Sequence, residues 1–254
     1  MVINSSIEGG YRIKGGLKTN SLNQPLVSII TVCLNAENHI TNCINSVISQ
    51  PYKNIEHIII DGLSNDKTTQ ILSNYNLNLA YWRSEKDYGI YNAMNKAVAL
   101  ANGKWILFLG ADDELLSGFS EMALLLKQDD CIYYADVLFN GNKMGGNFNT
   151  YKLAKTNICH QAIFYPKSVF DKYQYEEKYT ISADHYLNIQ CWIDSKFRWV
   201  YYPEIVANYS SGGISSSTKD ILFEKNRLKI IRKNLGLISY VRYLFRVLKE
   251  SFRN

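Results

Sequence analysis

An apolar strand that ends in two adjacent carboxylates constrains this chain more than any other feature of its sequence. Residues 105–109 read Trp-Ile-Leu-Phe-Leu, a run apolar enough to be buried on both faces of a sheet. The run stops at Gly110, and Asp112 and Asp113 follow it. In open α/β sheets, ligands bind beyond the carboxyl ends of the strands. Because neighbouring carboxylates repel, the pair indicates either a metal that grips a phosphate or a polar turn before a helix near Ser117.

Three rounds of strand, polar loop and helix surround this acidic pair in an ordered pattern. Apolar runs lie at 27–34, 55–60 and 79–82, and helical spacing of apolar residues follows at 37–50, 68–75 and 90–101. Strands joined by helical crossovers lie parallel. The first half therefore predicts an α/β fold with a mostly parallel central sheet flanked by helices. In the second half we predict strands at 131–139, 158–165 and 197–202, a helix from about residue 167 and another at 181–193.

The composition fits one globular domain with a basic appendage. The 254 residues are 46% hydrophobic and 20% charged, with a net charge of +5. Residues 1–24 are polar and contain two Gly-Gly pairs, which predicts a loose lead-in. Residues 25–218 contain no clear linker or repeat, so we treat them as one domain. Residues 219–254 carry ten Lys and Arg against three Asp and Glu, which makes them a basic helical tail.

The sequence gives no sign of export or of a membrane span. No apolar run approaches the length needed to cross a bilayer, and the N-terminus lacks the charged-then-apolar pattern of a signal peptide. The five cysteines are widely spaced, and no pair has the spacing of a zinc or redox site. We therefore expect reduced thiols in a cytoplasmic protein.

The end of the tail has the pattern of an amphipathic helix. Its apolar face would contain Leu237, Ile238, Val241, Leu244, Phe245, Leu248 and Phe252, and its basic side Arg242, Arg246, Lys249 and Arg253. The pattern is typical of an interfacial helix on anionic lipid, here the inner face of the plasma membrane. A helix packed on its own domain with a solvated basic side gives the same pattern. No aromatic platform alternates with these basic residues, so nucleic acid is not an expected partner.

Five sequence blocks, in order, resemble the inverting glycosyltransferases of family 2. They are residues 27–35 (VSIITVCLN), 60–68 (IDGLSNDKT), 84–96 (SEKDYGIYNAMNK), 110–113 (GADD) and 160–164 (HQAIF). One block alone would be a weak signal, whereas five in order across residues 25–215 are specific. The resemblance implies the GT-A fold, whose central sheet is Rossmann-like. It also implies a nucleotide-sugar donor, usually UDP-linked, and a surface-glycan acceptor, often lipid-linked.

The resemblance implies donor-binding roles at the ends of the first three strands. Asp61 would accept the imide N–H of uracil, which a carboxylate at a strand end can do, or else act as a turn or helix-capping residue. The same pocket would be lined by Thr31, Asn35 and Ser64. Asp87 would be a donor-site acid. Lys96 would either reach the diphosphate or lie on a solvated helix face.

The acidic pair resembles the Asp-x-Asp element of the family. By this resemblance Asp113 would bind Mg²⁺ or Mn²⁺ directly, and Asp112 would hold the donor ribose or sugar near the same metal. Hard carboxylate oxygens suit both ions and leave room for diphosphate oxygens. The metal would neutralise charge on the leaving nucleoside diphosphate.

Asp184 matches the family's general base, an acid at the start of a helix in the second half. An inverting transfer needs such a base to deprotonate the acceptor hydroxyl; otherwise Asp184 would be a first-turn residue favoured by the helix dipole. Relatives often carry another acid two positions later, where this chain has Tyr186. His160 and Gln161 match an acceptor-side block, although a lone histidine can be structural. His185, beside the base, is either an acceptor-side residue or a surface residue of the helix.

Two other classes of protein stay open on the sequence alone. A nucleotidyltransferase also places acids and metal at strand ends, but it would have a Gly-rich, basic loop after the first strand, unlike residues 35–38. An inactive sugar-binding or membrane scaffold is the non-enzymatic alternative. The set of Asp61, Asp112, Asp113 and Asp184 argues against it.

Overall fold

A computed structural model of the chain describes residues 7–21, 23–210, 212 and 218–252. The strands are β1 (Ile7–Gly9), β2 (Val27–Cys33), β3 (Ile55–Asp61), β4 (Tyr81–Ser84), β5 (Trp105–Phe108), β6 (Glu114–Leu115), β7 (Cys131–Phe139), β8 (Asn142–Met144), β9 (Ile163–Pro166) and β10 (Arg198–Tyr209). The helices are α1 (Ile40–Ile48), α2 (Thr68–Asn74), α3 (Ile90–Leu100), α4 (Gly118–Leu125), α5 (Thr150–Lys155), α6 (Ala183–Ile193), α7 (Ile221–Asn234) and α8 (Gly236–Ser251).

The strands form one mixed sheet in the order β1-β4-β3-β2-β5-β9-β7-β10-β6, and β8 pairs with β7. The four strands β4, β3, β2 and β5 are parallel to one another, as the repeated strand-helix pattern predicts. Strand β9 is antiparallel to both β5 and β7, and it joins the two halves of the sheet. Helices flank this central sheet, which confirms the predicted α/β fold class.

The central strands are buried on both faces, which explains their continuous apolar sequences. Every residue of β3 and β5 is buried, and in β2 only Val32 is partly accessible. Helix α3 packs against the sheet with a face that includes Tyr91, Met94 and Ala97. This packing fixes the carboxyl ends of the parallel strands at one edge, where their loops meet.

The N-terminal segment is more ordered than its composition suggests. Strand β1 pairs antiparallel with β4, and a 3₁₀ turn at Tyr11–Lys14 follows it. Arg12 Nη1 donates a 2.7 Å hydrogen bond to the Leu100 carbonyl. The prediction of a loose lead-in is therefore wrong for residues 7–14, because backbone pairing to a sheet edge does not require an apolar sequence. The first six residues lie outside the part of the chain that is described.

The second half differs from its predicted elements at several boundaries. The predicted strand at 158–165 begins only at Ile163, because residues 160–162 form a 3₁₀ turn. The helix predicted from about residue 167 is one 3₁₀ turn, Lys167–Val169. Strand β10 runs seven residues beyond the predicted end at Tyr202. Helix α5 was not predicted, since its six residues are too few to show a period.

The tail is helical, as predicted, and consists of α7 and α8. Helix α8 is held against the domain through Ser239 and Tyr243, which are buried. Most of its apolar stripe faces solvent, with Ile238 78% exposed and Phe245 67% exposed. No helix within the described ranges is long and apolar enough to cross a membrane. Arg253 lies outside those ranges.

Candidate active site

The loops that follow β2 and β3 are locked together at the carboxyl edge of the sheet. The Asn35 N–H donates to Ser64 Oγ at 2.7 Å, and the Asn65 N–H donates to Asn35 Oδ1 at 3.0 Å. Asn35 has a left-handed backbone with φ of 53°, a conformation that asparagine tolerates better than most residues. The structure thus places Asn35 and Ser64 side by side at the carboxyl edge of the sheet, in two loops that hydrogen bonds hold together.

Asp61 is wholly buried beneath these loops. Its Oδ2 accepts hydrogen bonds from the Ser64 N–H at 3.0 Å and from Ser84 Oγ at 2.6 Å. Its Oδ1 accepts from Ser64 Oγ and, at 3.6 Å, from Cys33 Sγ. These four donors use the acceptor positions of a carboxylate. The geometry therefore disagrees with direct contact between Asp61 and a base, and it makes Asp61 the anchor of the loop that carries Ser64.

Thr31 does not line the edge, so its predicted place in the nucleotide pocket is wrong. Its hydroxyl is fully buried and lies 3.0 Å from His57 Nε2 and 3.8 Å from Cys43 Sγ of α1. Side chains alternate between the faces of a strand, and Thr31 falls on the face covered by α1. Burial lowers the pKa of His57 to about 3, so this pair is a neutral polar contact within the core.

Asp87 lies against the loop that follows β3. Its Oδ1 accepts a 2.9 Å hydrogen bond from the Gly89 N–H. Its Oδ2 comes so close to Gly62 that a Cβ on that residue would be 2.6 Å away. Gly62 therefore permits the two loops to meet, and Asp87 joins Asn35 and Ser64 in one region.

Lys96 is held within the loop between β4 and α3. Its Nζ lies 3.1 Å from Glu85 Oε1 and donates to the Lys86 carbonyl at 2.9 Å. The ammonium group therefore braces this loop in the structure. The Lys96 side chain keeps 34% exposure, and the predicted alternatives, a diphosphate contact or a solvated helix face, both stay predictions.

Asp113 is buried where β5 ends, with only 1% of its surface exposed. Its Oδ2 accepts from the Gly110 N–H at 3.1 Å and from Gln161 Nε2 at 2.8 Å. Its Oδ1 accepts from the Ser210 N–H at 2.8 Å. Burial raises the pKa of Asp113 more than the donors from Ser210 and Gln161 lower it. Burial thus disfavours the ionised form of Asp113, and a positive charge bound nearby would favour it.

Asp112 is half-exposed beside Asp113 and turns towards Gly212, where a Cβ would lie 3.7 Å from Asp112 Oδ2. Within the described ranges no residue donates a hydrogen bond to its carboxylate, and no group of three or more His, Cys, Asp or Glu could hold a metal alone. Both oxygens of Asp112 and one acceptor position on Asp113 Oδ1 suit a hard divalent cation. The pair fits a cation that takes its other ligands from a bound phosphate.

Asp184 lies in the first turn of α6, and several hydrogen-bond donors surround its carboxylate. Its Oδ1 accepts from Tyr91 Oη at 3.0 Å and from the His185 N–H at 2.7 Å. Its Oδ2 accepts from Asn157 Nδ2 at 2.8 Å and lies 3.5 Å from His160 Nδ1. The side chain keeps 14% exposure. The carboxylate is therefore oriented by protein and still accessible.

The pKa of Asp184 is lowered from the ordinary aspartate value of 3.8. Burial raises this pKa, but the nearby imidazole of His160 and the charge and N–H of His185 outweigh it. Asp184 is consequently ionised at neutral pH. It can accept a proton from a bound hydroxyl group without first losing one of its own.

One short turn joins the acidic pair to Asp184. His160 and Gln161 are consecutive residues of the 3₁₀ turn before β9, and His160 faces Asp184 while Gln161 donates to Asp113. The two predicted acceptor-side residues thus lie between the predicted metal site and the predicted base. The structure brings Asp112, Asp113 and Asp184 to the same end of the sheet.

His185 belongs to the core, so both predicted alternatives for it are wrong. It is 6% exposed, its Nε2 lies 2.7 Å from the Leu153 carbonyl, and its ring is 5.2 Å from that of Phe223. Burial, aided by the charge of Arg227, lowers the pKa of His185 to about 4. A neutral His185 therefore ties α6 to α5 and α7 rather than facing an acceptor or solvent.

Two residues that the sequence did not single out contact Asp184. Tyr91 lies within the third resembling block, so its position was a possible signal. Asn157 stands 27 residues before Asp184 in an irregular segment, and nothing in its surroundings marks it. Both belong to the site through contacts that only the fold creates.

Comparison with known proteins agrees with this geometry. The Glycosyl transferase family 2 model matches residues 28–209. The PGL/p-HBAD biosynthesis glycosyltransferase of Mycobacterium bovis (strain BCG / Pasteur 1173P2) is 33% identical over 226 residues, which cover 84% of this chain and 88% of that protein.

Solved structures share the fold at low sequence identity. S. aureus TarS 1–349 in complex with UDP-GlcNAc is 18% identical with a TM-score of 0.61, and the match covers 82% of this chain and 64% of that one. The mannosyltransferase PcManGT from Pyrobaculum calidifontis, in complex with GDP-Man and Mn2+, is 12% identical with a TM-score of 0.57, covering 92% and 69%. This chain thus spans less than two thirds of the TarS structure.

The family match covers most of the chain. It contains all five sequence blocks of the resemblance, apart from Val27 at the start of the first block. It is not compatible with the nucleotidyltransferase alternative. The sheet order and its flanking helices agree with the fold of the TarS and PcManGT structures. The chain belongs to glycosyl transferase family 2 and is a glycosyltransferase with the GT-A fold.

Proposed function

We propose that this enzyme moves a sugar from a UDP-linked donor to a lipid-linked surface glycan, with inversion and with the help of a divalent metal. The observation that carries the proposal is the His160–Gln161 turn, which connects Asp184 with Asp113 through direct contacts. A leaving-group site and a base site must lie this close for a single displacement. The UDP-GlcNAc bound to TarS and the GDP-Man and Mn2+ bound to PcManGT support the choice of ligand classes.

The donor would lie over the loops that follow β2, β3 and β4. Asn35, Ser64 and Asp87 offer polar groups there, and Gly62 lets the loop that carries Asp87 approach the loop that carries Ser64. Asp61 holds Ser64 in place from below. In this proposal the nucleotide base contacts the loop that Asp61 anchors, so Asp61 acts on binding through Ser64.

Asp112 and Asp113 would hold Mn²⁺ or Mg²⁺ together with the donor diphosphate. When bound, the metal supplies positive charge that stabilises the departing nucleoside diphosphate. The protein contributes the orientation of the pair: Gly110, Gln161 and Ser210 fix the Asp113 carboxylate, and Asp112 is left open.

Asp184 would act as the general base. Its ionised carboxylate, aimed by Tyr91 and Asn157, takes the proton of the acceptor hydroxyl as that oxygen attacks the sugar from the side opposite the leaving group. One displacement on one face inverts the anomeric centre. No covalent intermediate on the protein is needed.

A panel of nucleotide sugars tests the proposal without knowledge of the acceptor. We expect Mn²⁺-dependent hydrolysis of a UDP-linked sugar, with weaker turnover of GDP- and dTDP-linked sugars, measured by nucleotide release. EDTA should abolish it. Turnover that persists in EDTA would contradict the metal, and turnover of GDP-sugars alone would contradict the uridine donor. Binding of a nucleotide sugar with no turnover of any member, even with added glycan lipids, would favour the inactive binding protein.

The exposed stripe on α8 supports attachment to an anionic membrane surface. Helix α8 contacts the domain through Ser239, Tyr240 and Tyr243, and Leu244 is half-buried, but most of its other apolar residues are exposed. The stripe contains Leu237, Ile238, Val241, Phe245, Leu248 and Phe252, all exposed. Arg242, Arg246 and Lys249 lie beside it. An apolar face flanked by basic residues matches the interface of an anionic leaflet, where a lipid-linked acceptor would also be found.

Liposome sedimentation tests this surface. We expect the protein to sediment with vesicles that contain anionic phospholipid and to dissociate as salt rises, because each basic residue contributes about 1 kcal/mol that salt screens. Ile238→Ser combined with Phe245→Ser should abolish sedimentation and leave donor hydrolysis unchanged, since both side chains face solvent.

Leu77→Ser provides the matched control. Leu77 is 78% exposed like Ile238 but lies after α2, remote in sequence from α8. This variant should sediment normally. Sedimentation of the double variant at the original level, or equal binding to neutral and anionic vesicles, would contradict an electrostatically assisted attachment through α8.

A further inference from the structure

A line of hydrogen bonds runs from the buried sheet to Asp184. Tyr165 Oη of β9 donates to Asn188 Oδ1 at 2.6 Å, and Asn188 Nδ2 donates to Asn157 Oδ1 at 2.8 Å. Asn157 Nδ2 then donates to Asp184 Oδ2 at 2.8 Å. Tyr165 and Asn188 have no exposed surface. Every donor in the line points towards the carboxylate, so the line favours its ionised form.

The orientation of the Asn157 amide is fixed by its partners. Its Oδ1 accepts two hydrogen bonds, from Asn188 Nδ2 and, at 2.9 Å, from the Ile158 N–H. A flipped amide would set its NH₂ group against both of these donors and its oxygen against the Asp184 carboxylate. Asn157 can therefore hold Asp184 in one way only.

The two oxygens of Asp184 are not equivalent. Oδ1 accepts a hydrogen bond from the His185 N–H and shares the proton of Tyr91 Oη with the Ile181 carbonyl. Oδ2 accepts one from Asn157, and its contact with His160 Nδ1 at 3.5 Å is longer than the roughly 3.2 Å at which N–H···O bonds usually end. Oδ2 consequently has an acceptor position available, and among the described residues its one contact of hydrogen-bond length is the one from Asn157 Nδ2.

We propose that Asn157 is a positioning residue of the transfer reaction: its amide holds Asp184 Oδ2 in place and aims that oxygen at the acceptor hydroxyl. The proposal rests on the proposed role of Asp184 as the base. Titratable groups that interact with Asp184 are Tyr91 on α3, Cys159 and His160 before β9, Tyr165 on β9, Tyr175, and His185 on α6. Asp220 lies nearby and accepts a hydrogen bond from the Ser182 N–H. Asn157 is neutral, so its replacement by aspartate changes the charge at Oδ2 and leaves all of these groups in place.

Asn157→Asp tests the proposal with nearly unchanged shape. The new carboxylate would face Asp184 across the former hydrogen bond, and two carboxylates in contact retain a shared proton to higher pH. With the nucleotide sugar that the panel identifies, we expect kcat at pH 7 to fall by about 10- to 100-fold with donor KM little changed. The acidic limb of the pH–rate profile should move to higher pH.

Asn95→Asp is the matched control. Asn95 is also a half-buried asparagine whose amide bonds in both directions, from Tyr175 N–H and to the Tyr175 carbonyl, and it does not contact Asp184. The acidic limb of the pH–rate profile of Asn95→Asp should stay at the pH of the parent enzyme. Asn157→Ala, which adds no charge, should lower kcat by about tenfold and serves if Asn157→Asp does not fold.

A titration by ¹³C NMR of carboxyl-labelled aspartate provides a readout that needs no turnover. The Asp184 signal is assigned by its loss in Asp184→Asn, and it should titrate at higher pH in Asn157→Asp than in the parent protein. If both the limb and kcat are unmoved in Asn157→Asp or Asn157→Ala while Asp184→Asn is inactive, the positioning role is overturned and the base assignment stands. If Asp184→Asn retains activity, the base assignment itself fails.

Discussion

Asp184→Asn should lower transfer to the acceptor by about two to four orders of magnitude, the usual range for loss of a general base. An amide keeps the size of the side chain but cannot take a proton from a hydroxyl group. Donor affinity should be unchanged, because the proposed donor site is formed by the loops after β2, β3 and β4. Calorimetry with the nucleoside diphosphate and steady-state kinetics with an acceptor lipid measure the two effects separately.

The pH dependence follows from the lowered pKa of Asp184. Because this pKa lies below the ordinary value of 3.8, the carboxylate stays ionised as pH falls through the neutral and mildly acidic range. Its contribution to folding stability is likewise present above 3.8 and is lost as pH falls through the lowered pKa. The rate should therefore show no loss from Asp184 near neutral pH.

Asp171→Asn is the control for this substitution, since Asp171 is an exposed aspartate after the 3₁₀ turn at Lys167–Val169. It should transfer sugar at the parent rate. Equal activity of Asp184→Asn and Asp171→Asn would remove Asp184 from the chemistry. Because His185 is buried and neutral, the structure gives no support to His185 as the general base in place of Asp184.

Asp112→Asn should abolish most activity and most metal binding while the fold is retained. A neutral amide is a poor ligand for a hard cation, and losing a carboxylate here removes charge that would hold Mn²⁺ at the diphosphate. Within the described ranges no hydrogen bond to protein is broken, so the melting temperature without metal should stay near that of the parent. Addition of Mn²⁺ and UDP should raise the melting temperature of the parent protein and change that of the variant very little.

Asp113→Asn should affect both metal binding and folding, unlike Asp112→Asn, which should affect metal binding alone. This carboxylate accepts three N–H donors, and an asparagine there would turn its own NH₂ group towards at least one of them. We expect lost activity together with a lower melting temperature. A fully active Asp112→Asn, or an unchanged Mn²⁺ shift in both variants, would show that the pair does not hold the metal.

The sequence predicts this fold well in its first half for a definite reason. Strands β2, β3 and β5 are buried on both faces, so their apolar runs are continuous, and the helices between them carry clear periods. The acids that follow these strands reach one edge because parallel strands end together. The positions of Asn35, Asp87 and Asp112 follow from that rule, whereas Asp184 lies in the first turn of α6 and was predicted from the family resemblance.

The errors concern properties that depend on distant partners. Thr31 faces α1 because of its place in the alternation of β2, and Asp61 is buried because Ser84 and Cys33 close over it. His185 is covered by Phe223, which lies 38 residues further along the chain. The order of residues 7–14 depends on β4. None of these contacts leaves a local pattern in the sequence.

The first strand has a consequence for how this protein behaves at high concentration. Within the described residues, one border of the sheet is β1 with three residues, the opposite border is β6 with two, and β8, which pairs with β7, has three. Short border strands present few free N–H and C=O groups, which makes them poor templates for a strand from another molecule. Many copies gathered on one patch of lipid would thus have little opportunity to merge their sheets into aggregates. Contacts between neighbouring molecules would instead involve side chains, which can separate again.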